Sequence, residues 1–197
     1  MINLNKYIQK SMSYAEYHNF FESLVYEEKT NWHEQSEEMI NFTKLNFQRS
    51  KRIHKQFRIK SRLLEEVKKL DRRITWLVIT EPWCGDAAQN LPAFHEVSQY
   101  NDFLNLRLVL RDENPELIDI FLTNGTRSIP KIIQLDENLN IIVTWGPRPE
   151  PLQKMVLEFK LKPWTEKQKF YEDVQSWYNK DKSMTLQNEI LALLQNI

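Results

Sequence analysis

Seven consecutive apolar or β-branched residues, Ile74 to Thr80, place the strongest constraint on the fold of this chain. A short run with almost no polar interruption is typical of a β-strand that is buried on both faces. Such a strand needs covering layers. Helices are the expected source, because the 197 residues include only three glycines and eight prolines, too few for the turns of an all-β protein. The sequence therefore predicts an α/β fold in which helices cover a sheet.

The other predicted elements follow from changes of hydrophobic period along the chain. Helical periodicity predicts helices, and short apolar runs predict three further strands, the last two of which form a hairpin. The predicted helices are residues 13–28, a long segment from about residue 34 with one break, and residues 62–70, 84–100, 116–123 and 186–194; the predicted strands are residues 104–110, 131–135 and 141–145. A capping pattern at Thr165 to Gln168 predicts one more helix. This order gives a βαβ half followed by an antiparallel half.

Composition and charge argue against several classes of protein function. Equal numbers of basic and acidic residues, 27 of each, argue against a polybasic nucleic-acid binder. No apolar run approaches the roughly 18 residues of a transmembrane helix, and the N-terminus lacks a signal-peptide pattern. We therefore expect a soluble, cytoplasmic protein without nucleic-acid or membrane partners. The stretch from Lys44 to Arg73 carries twelve basic and three acidic residues. We expect it to be solvated or paired with the protein's own acids, the alternatives being an anionic thiol, nucleic acid or an acidic partner.

The chain has one cysteine, Cys84, which excludes an internal disulfide and a zinc site built from cysteines. It lies in the sequence Trp83-Cys84-Gly85-Asp86-Ala87, between the predicted strand and the start of the next helix. Free backbone N–H groups and the positive end of the helix dipole favour a thiolate at such a position. We therefore predict a reactive thiol whose pKa lies below the roughly 8.5 of a free cysteine.

Three motifs follow one another along the chain: Trp83-Cys84-Gly85 after the buried strand, Asp112 to Leu117 after the next strand, and Ser128-Ile129-Pro130 before the hairpin. Together they resemble the thioredoxin family over about Leu63 to Lys162. The resemblance implies a thioredoxin-like fold of three layers with a mixed sheet. It also implies a cis Pro130 that packs against Cys84 and leaves the preceding backbone free to pair with an extended substrate. The residues that it assigns to substrate binding are Trp83, Gly85, Ile129 and Pro130.

The resemblance divides the chain into a thioredoxin-like core at residues 61–162 and helical extensions at residues 1–60 and 163–197. No Gly- or Pro-rich linker separates Leu70 from Ile74. The extensions carry large apolar side chains, and each of these stabilises the fold by roughly 1.5 to 3 kcal/mol when it is buried. We therefore expect all three segments to pack as one structural unit.

The active-site motif departs from the family at Ala87, where the family has a second cysteine that resolves the mixed disulfide. A two-cysteine cycle within one chain is therefore impossible. The predicted alternative is a single-cysteine cycle that is completed by glutathione, bacillithiol or a partner's cysteine. Asp86 stands where the family often has proline; it is either a proton shuttle or polar substrate contact, or a carboxylate that suits the first helical turn. No metal or cofactor is expected, because the four histidines lack paired ligand spacing and the three glycines are isolated.

The sequence thus favours a cytoplasmic, thioredoxin-like protein in which Cys84 exchanges thiols with a protein or a small thiol or disulfide, with Asp86 as a second catalytic residue. Two other functions stay open. One is a non-catalytic binding module that keeps the peptide groove of the fold without turnover. The other is a peroxide sensor based on the thiol. The sequence leaves the oligomeric state open.

Overall fold

A computed structural model describes residues 3–160 and 167–196 of the chain. Its centre is a four-stranded sheet of order β2-β1-β3-β4. The strands are β1 (Ile74–Thr80), β2 (Leu104–Leu110), β3 (Lys131–Leu135) and β4 (Ile141–Trp145). β1 pairs in parallel with β2, whereas β1 with β3 and β3 with β4 are antiparallel. The predicted mixed sheet and the bounds of all four strands are confirmed.

The sheet is buried at its centre, as the apolar sequence of β1 predicts. All seven residues of β1 and all five of β3 are buried. The Trp76 indole N–H donates to Gln134 Oε1 over 2.8 Å, and the Gln134 amide donates to the carbonyl of Leu193 over 2.9 Å. These bonds satisfy the polar atoms that the sheet takes into its core, because buried polar groups are costly without partners.

Helices surround the sheet, and most begin where the sequence predicts. Their bounds are α1 (Asn5–Lys10), α2 (Tyr14–Tyr26), α3 (Glu37–Gln56), α4 (Ser61–Lys68), α5 (Gly85–Ser98), α6 (Pro115–Ile118), α7 (Glu150–Phe159), α8 (Lys167–Asp181) and α9 (Met184–Leu194). Ser13 and Glu16 form the predicted capping box of α2. The predicted cap at Thr165 lies outside the described residues. Within the described residues, no helix is long and apolar enough to cross a membrane.

Three helices differ from the prediction for local reasons. α6 ends at Ile118 rather than near residue 123, and the segment after it leads into a turn in which Asn124 and Gly125 both have positive φ. α7 lies outside the predicted helices; it begins at Glu150 with Pro151 in its first turn, where the missing N–H of proline is tolerated. The short α1 also went unpredicted, since six residues give too little periodicity to detect.

The terminal helices contact the core directly. Between α1 and α2, Met12 forms an antiparallel bridge with Leu108 of β2. At the other end of the chain, the Leu193 carbonyl of α9 accepts a hydrogen bond of 2.9 Å from Gln134 of β3. α7 and α8 share a separate apolar cluster that contains Leu152, Val156, Val174 and Tyr178. These contacts suit the expectation of one structural unit, which stays a prediction.

Candidate functional site

Cys84 is the N-cap residue of α5, at the carboxyl end of β1. Its Sγ accepts a hydrogen bond of 3.4 Å from the Ala87 N–H and donates one of 3.3 Å to the carbonyl of Ile129. The Ile129–Pro130 peptide bond is cis. The fold therefore brings together the cysteine and the proline loop, two of the three motifs that carry the resemblance.

The Cys84 thiol is buried, with only 7% of the residue exposed. Burial, and then the charge of Asp86, raise its pKa to about 12, while the Ala87 N–H and the Arg148 guanidinium act in the opposite direction. The predicted pKa below that of a free thiol is therefore wrong. The helix N-terminus does favour the thiolate, but loss of hydration costs the anion more than those N–H groups return.

Asp86, in the first turn of α5, has both carboxylate oxygens occupied. Arg148 pairs with Oδ2 over 2.6 Å, and the Tyr178 hydroxyl donates to Oδ1 over 2.8 Å. The side chains of Asp86 and Arg148 are only 12% and 20% exposed. These contacts suit a carboxylate in the first helical turn, and the catalytic role of Asp86 stays a prediction.

Trp83 stands between two side chains that the sequence analysis did not connect with it. Its ring meets that of Trp32 edge-on, with 4.6 Å between the centroids, and the Arg111 guanidinium lies 4.6 Å from its centroid. The Asn46 amide of α3 donates to the Trp83 carbonyl over 2.9 Å. Trp83 is half-buried, and its indole N–H has no hydrogen-bond partner among the described residues.

A buried carboxyl group lies three residues before the cysteine. Glu81 accepts a hydrogen bond of 2.8 Å from the Asp112 N–H and another from the Asn31 side-chain amide. Burial raises the pKa of Glu81 to about 7. The group thereby ties the end of β1 to the segment after β2 and to the loop before α3. Nothing in its sequence pattern distinguishes it from an ordinary loop acid.

An open cavity of about 980 Å³ lies in front of Cys84. Helix α3 and helix α8, which belong to the two predicted extensions, each supply part of its wall. The lining residues are Glu38, Met39, Phe42, Arg49, Trp83, Cys84, Gly85, Asp86, Arg111, Thr126, Arg127, Ser128, Ile129, Arg148, Tyr171 and Gln175. The predicted site residues Trp83, Cys84, Gly85, Asp86 and Ile129 thus share one cavity.

A sequence model of the family described as Thioredoxin matches residues 32–170. The chain belongs to the thioredoxin family. The match is wider than the span from Leu63 to Lys162 that the motifs indicated, and it includes the whole of α3. Together with the mixed sheet and its surrounding helices, it confirms the predicted α/β, thioredoxin-like fold.

Two solved structures of similar fold align with nearly the whole thioredoxin-family chain. A protein of unknown function from Pseudomonas aeruginosa is 19% identical with a TM-score of 0.61, and the alignment covers 93% of this chain and 98% of that one. An HIV epitope-scaffold is also 19% identical with a TM-score of 0.61, and the alignment covers 94% and 99%. At this identity the likeness concerns the fold alone. No curated protein matches the chain.

Positive charge dominates the cavity of this thioredoxin-family protein. Four arginines stand against two acids, Glu38 and Asp86; the arginines are Arg49, Arg111, Arg127 and Arg148. The basic stretch from Lys44 to Arg73 was expected to be solvated or paired with the protein's own acids, whereas one of its members, Arg49, forms part of the cavity wall. Sequence alone did not single out this position, because neighbouring basic residues share the same helix.

The described residues contain no group of three or more His, Cys, Asp or Glu side chains that is arranged to hold a metal ion. Three of the four histidines instead meet away from the cavity. His18, His54 and His95 lie within 6.5 Å of one another or of Tyr14, measured between ring centroids. The chemistry that this cavity offers is therefore that of a thiol beside arginines and an apolar wall.

Proposed function

We propose that this protein carries out thiol–disulfide exchange at Cys84, with an external thiol as the resolving group. The observation that carries the proposal is the position of Cys84, which lines an open cavity while its sulfur bonds to the Ile129 carbonyl. Membership of the thioredoxin family supports the reaction class. We place the reaction in the cytoplasm, where glutathione and thioredoxin systems keep thiols reduced.

The proposed cycle has two balanced steps. In the first, Cys84 loses its proton to solvent and attacks one sulfur of a disulfide, so that the substrate S–S bond breaks, a mixed disulfide forms, and the other half leaves as a thiolate that takes up a proton. In the second, an external thiolate attacks the substrate sulfur of the mixed disulfide, so that a disulfide forms between the external thiol and the substrate. The bond to Cys84 breaks, and Cys84 leaves as a thiolate that takes up a proton. The external thiol is needed because Ala87 occupies the place of a second cysteine.

The environment of Cys84 sets the pH dependence of this cycle. Because the pKa of the thiol is raised to about 12, the protein holds it protonated at neutral pH. Arg148 and the Ala87 N–H stabilise the anion once it forms, which lowers the pKa from the value that burial alone would give. The first step is therefore expected to accelerate continuously from neutral to alkaline pH.

The burial of Cys84 and its bond to the Ile129 carbonyl support a second candidate function, that of a non-catalytic binding module. A thiol that is buried and bonded to the Ile129 carbonyl is a poor nucleophile at rest, because the thiolate is the reactive form. In that case the cavity binds its partner and Cys84 serves as a small lining residue. A peroxide sensor is less well supported, since its chemistry also begins with a thiolate and gains nothing from the raised pKa.

Turnover distinguishes these candidates. The assay follows the reduction of bis(hydroxyethyl) disulfide by glutathione, with the parent protein and with Cys84→Ser. Exchange chemistry predicts a rate above the uncatalysed reaction that is lost in Cys84→Ser. Equal rates in both proteins would favour the binding module.

The Ala87→Cys variant tests the part played by the external resolver. The parent rate should rise with glutathione concentration, because glutathione must attack the mixed disulfide. Ala87→Cys places a second thiol three residues further along α5, so its first mixed disulfide can be released without glutathione. A parent rate that does not depend on glutathione would contradict the single-cysteine cycle.

A further inference from the structure

We propose that the cavity selects a small thiol or disulfide whose sulfur is flanked by carboxylates, and that Arg49 is the residue that binds a carboxylate. This inference rests on the proposed exchange at Cys84 for the sulfur, whereas the recognition of the anion rests on the cavity itself. It gives the two helical extensions, which supply α3 and α8, a function in substrate selection.

Three of the four cavity arginines already have acidic partners. Arg148 pairs with Asp86 over 2.6 Å, Arg127 with Asp119 over 2.6 Å, and Arg111 with Asp112 over 2.7 Å. These pairs satisfy much of the charge of each guanidinium, so the three residues give the cavity a positive field without a free binding group.

Arg49 has no carboxylate within 4 Å among residues 3–160 and 167–196. Its Nη1 donates to the Asn46 Oδ1 over 2.9 Å, and the guanidinium lies 5.7 Å from the centroid of Phe42. Burial and then repulsion from Arg52 lower its pKa, and the more distant charge of Asp86 offsets only part of this effect. A partly buried guanidinium next to a second one gains from an anion more than an exposed arginine does, because less water screens the interaction.

Arg49 also stands close to Gly85, the residue that follows the reacting cysteine. Its Nη1 lies 3.5 Å from the place that a Cβ of residue 85 would take, immediately after the cysteine in the chain. Asn46 fixes this position, because its carbonyl oxygen accepts from Arg49 while its amide donates to the Trp83 backbone. A carboxylate on Arg49 therefore lies next to the residue that follows Cys84.

The walls favour a small molecule over a folded protein. Helices α3 and α8 supply Met39, Phe42, Tyr171 and Gln175 around the cysteine, which a folded substrate would have to pass. The volume of about 980 Å³ is within the range of small-molecule sites. The apolar residues among these cover the carbon chain of a ligand, while Arg49 takes its charged end.

Three disulfides of similar size but different charge test whether the cavity prefers an anionic disulfide. Dithiodiglycolate is a dianion, bis(hydroxyethyl) disulfide is neutral, and cystamine is a dication. The rate at which each adds to Cys84 is followed by intact mass, and each rate is divided by that with free mercaptoethanol to remove intrinsic reactivity. We expect the dianion to react about tenfold faster than the dication, since one charge-assisted hydrogen bond has about this effect.

Arg49→Gln should remove the preference for the dianion, measured as the ratio of its normalised rate to that of the neutral disulfide. Arg62→Gln is the matched control, because Arg62 is an exposed arginine on α4 and contributes the same charge outside the cavity. Equal normalised rates for the three disulfides, or a preference that survives Arg49→Gln, would overturn the inference while leaving the exchange chemistry intact. Faster normalised reaction with a protein disulfide such as insulin would overturn the choice of a small molecule.

A binding measurement tests the anion site without any exchange. Thiodiglycolate, an unreactive dianionic thioether, is titrated into Cys84→Ser by calorimetry, with the neutral thiodiglycol as its counterpart. Binding of the dianion alone, weakened about tenfold by Arg49→Gln, supports the site even if Cys84 proves unreactive. Absence of binding by thiodiglycolate, or equal binding of the neutral compound, would contradict it.

Discussion

Asp86 and Arg148 form an ion pair of 2.6 Å beside the Cys84 thiol. The two charges act on that thiol in opposite directions, since Asp86 raises its pKa and Arg148 lowers it. Tyr178 of α8 holds the same carboxylate over 2.8 Å, so a helix of the C-terminal extension reaches the residue that helps set the state of the thiol. The balance between these charges is open to direct test.

Asp86→Asn should make Cys84 more reactive. The amide keeps an oxygen acceptor near Tyr178 and Arg148 but removes the negative charge, so the pKa of Cys84 falls. We expect alkylation by iodoacetamide at about pH 8 to become roughly tenfold faster, which corresponds to a fall of about one unit in the pKa of Cys84. Asp102→Asn, which removes an exposed acid after α5, is the control. Identical pH profiles for the parent and Asp86→Asn would show that burial alone sets the pKa.

Gly146→Ala should disturb the loop beside the cysteine. Gly146 has a φ of +116°, and an added Cβ would collide with the carbonyl oxygen of Pro130. We expect a loss of about 3 kcal/mol in the free energy of unfolding, as for other steric clashes in packed regions. In Gly125→Ala the φ is +72° but no heavy atom lies within 4 Å, so backbone strain costs about 1 to 2 kcal/mol. Urea unfolding compares the two, and equal losses would contradict the clash.

His95 should make the fold sensitive to acid. Its ring stacks on Tyr14 with 4.0 Å between the centroids, in a cluster with His18 and with His54, which also contacts Glu96. Burial and then the charge of His54 lower the pKa of His95 to about 4. The unfolded chain therefore binds a proton more readily than the folded protein. The contribution that neutral His95 makes to the free energy of unfolding is fully present above about pH 6.5 and is lost as the pH falls toward 4.

His95→Phe tests this acid sensitivity, because it keeps a stacking ring and removes the titrating group. The difference between urea midpoints at about pH 7 and pH 5 should be smaller in this variant than in the parent. His33→Gln, which alters an exposed histidine, should retain the parental difference. The explanation is wrong if all three proteins lose the same stability on acidification.

The extensions are predicted to unfold together with the core. Tyr17 and Phe21 of α2 belong to the same apolar cluster as Trp76 of β1 and Ile190 of α9. Because this burial joins distant parts of the chain, we expect one unfolding transition and no stable proteolytic fragment that begins near Ser61. A resistant fragment without residues 1–60 would contradict the single unit.

The sequence was sufficient for the sheet because its strands are short apolar runs between polar turns. Ile74–Thr80 is one such run, and its strand has the predicted bounds. The state of Cys84 was not predictable in this way. Its position at a helix start is local information, whereas the burial that raises its pKa comes from the Ile129 loop and other distant segments.

The residues that line the cavity also could not be predicted from the sequence. Asn46 and Arg49 lie in a helix whose polar residues are mostly solvent-facing by pattern. Only the packing of α3 against α5 brings Arg49 to the residue after the cysteine. Tyr171 and Gln175 reach the same cavity from a segment far along the chain, which carries no motif for the site.

The central claim is that Cys84 reacts reversibly with a disulfide in the folded protein, and intact-mass measurement tests it most directly. The folded protein, the protein in concentrated urea and Cys84→Ser are each treated with dithiodiglycolate and then with excess glutathione. The account predicts one adduct in the folded protein, none in Cys84→Ser, and recovery of the original mass when glutathione is added. An adduct that forms only in urea would contradict it, because Cys84 would then be a closed core residue rather than a reacting group.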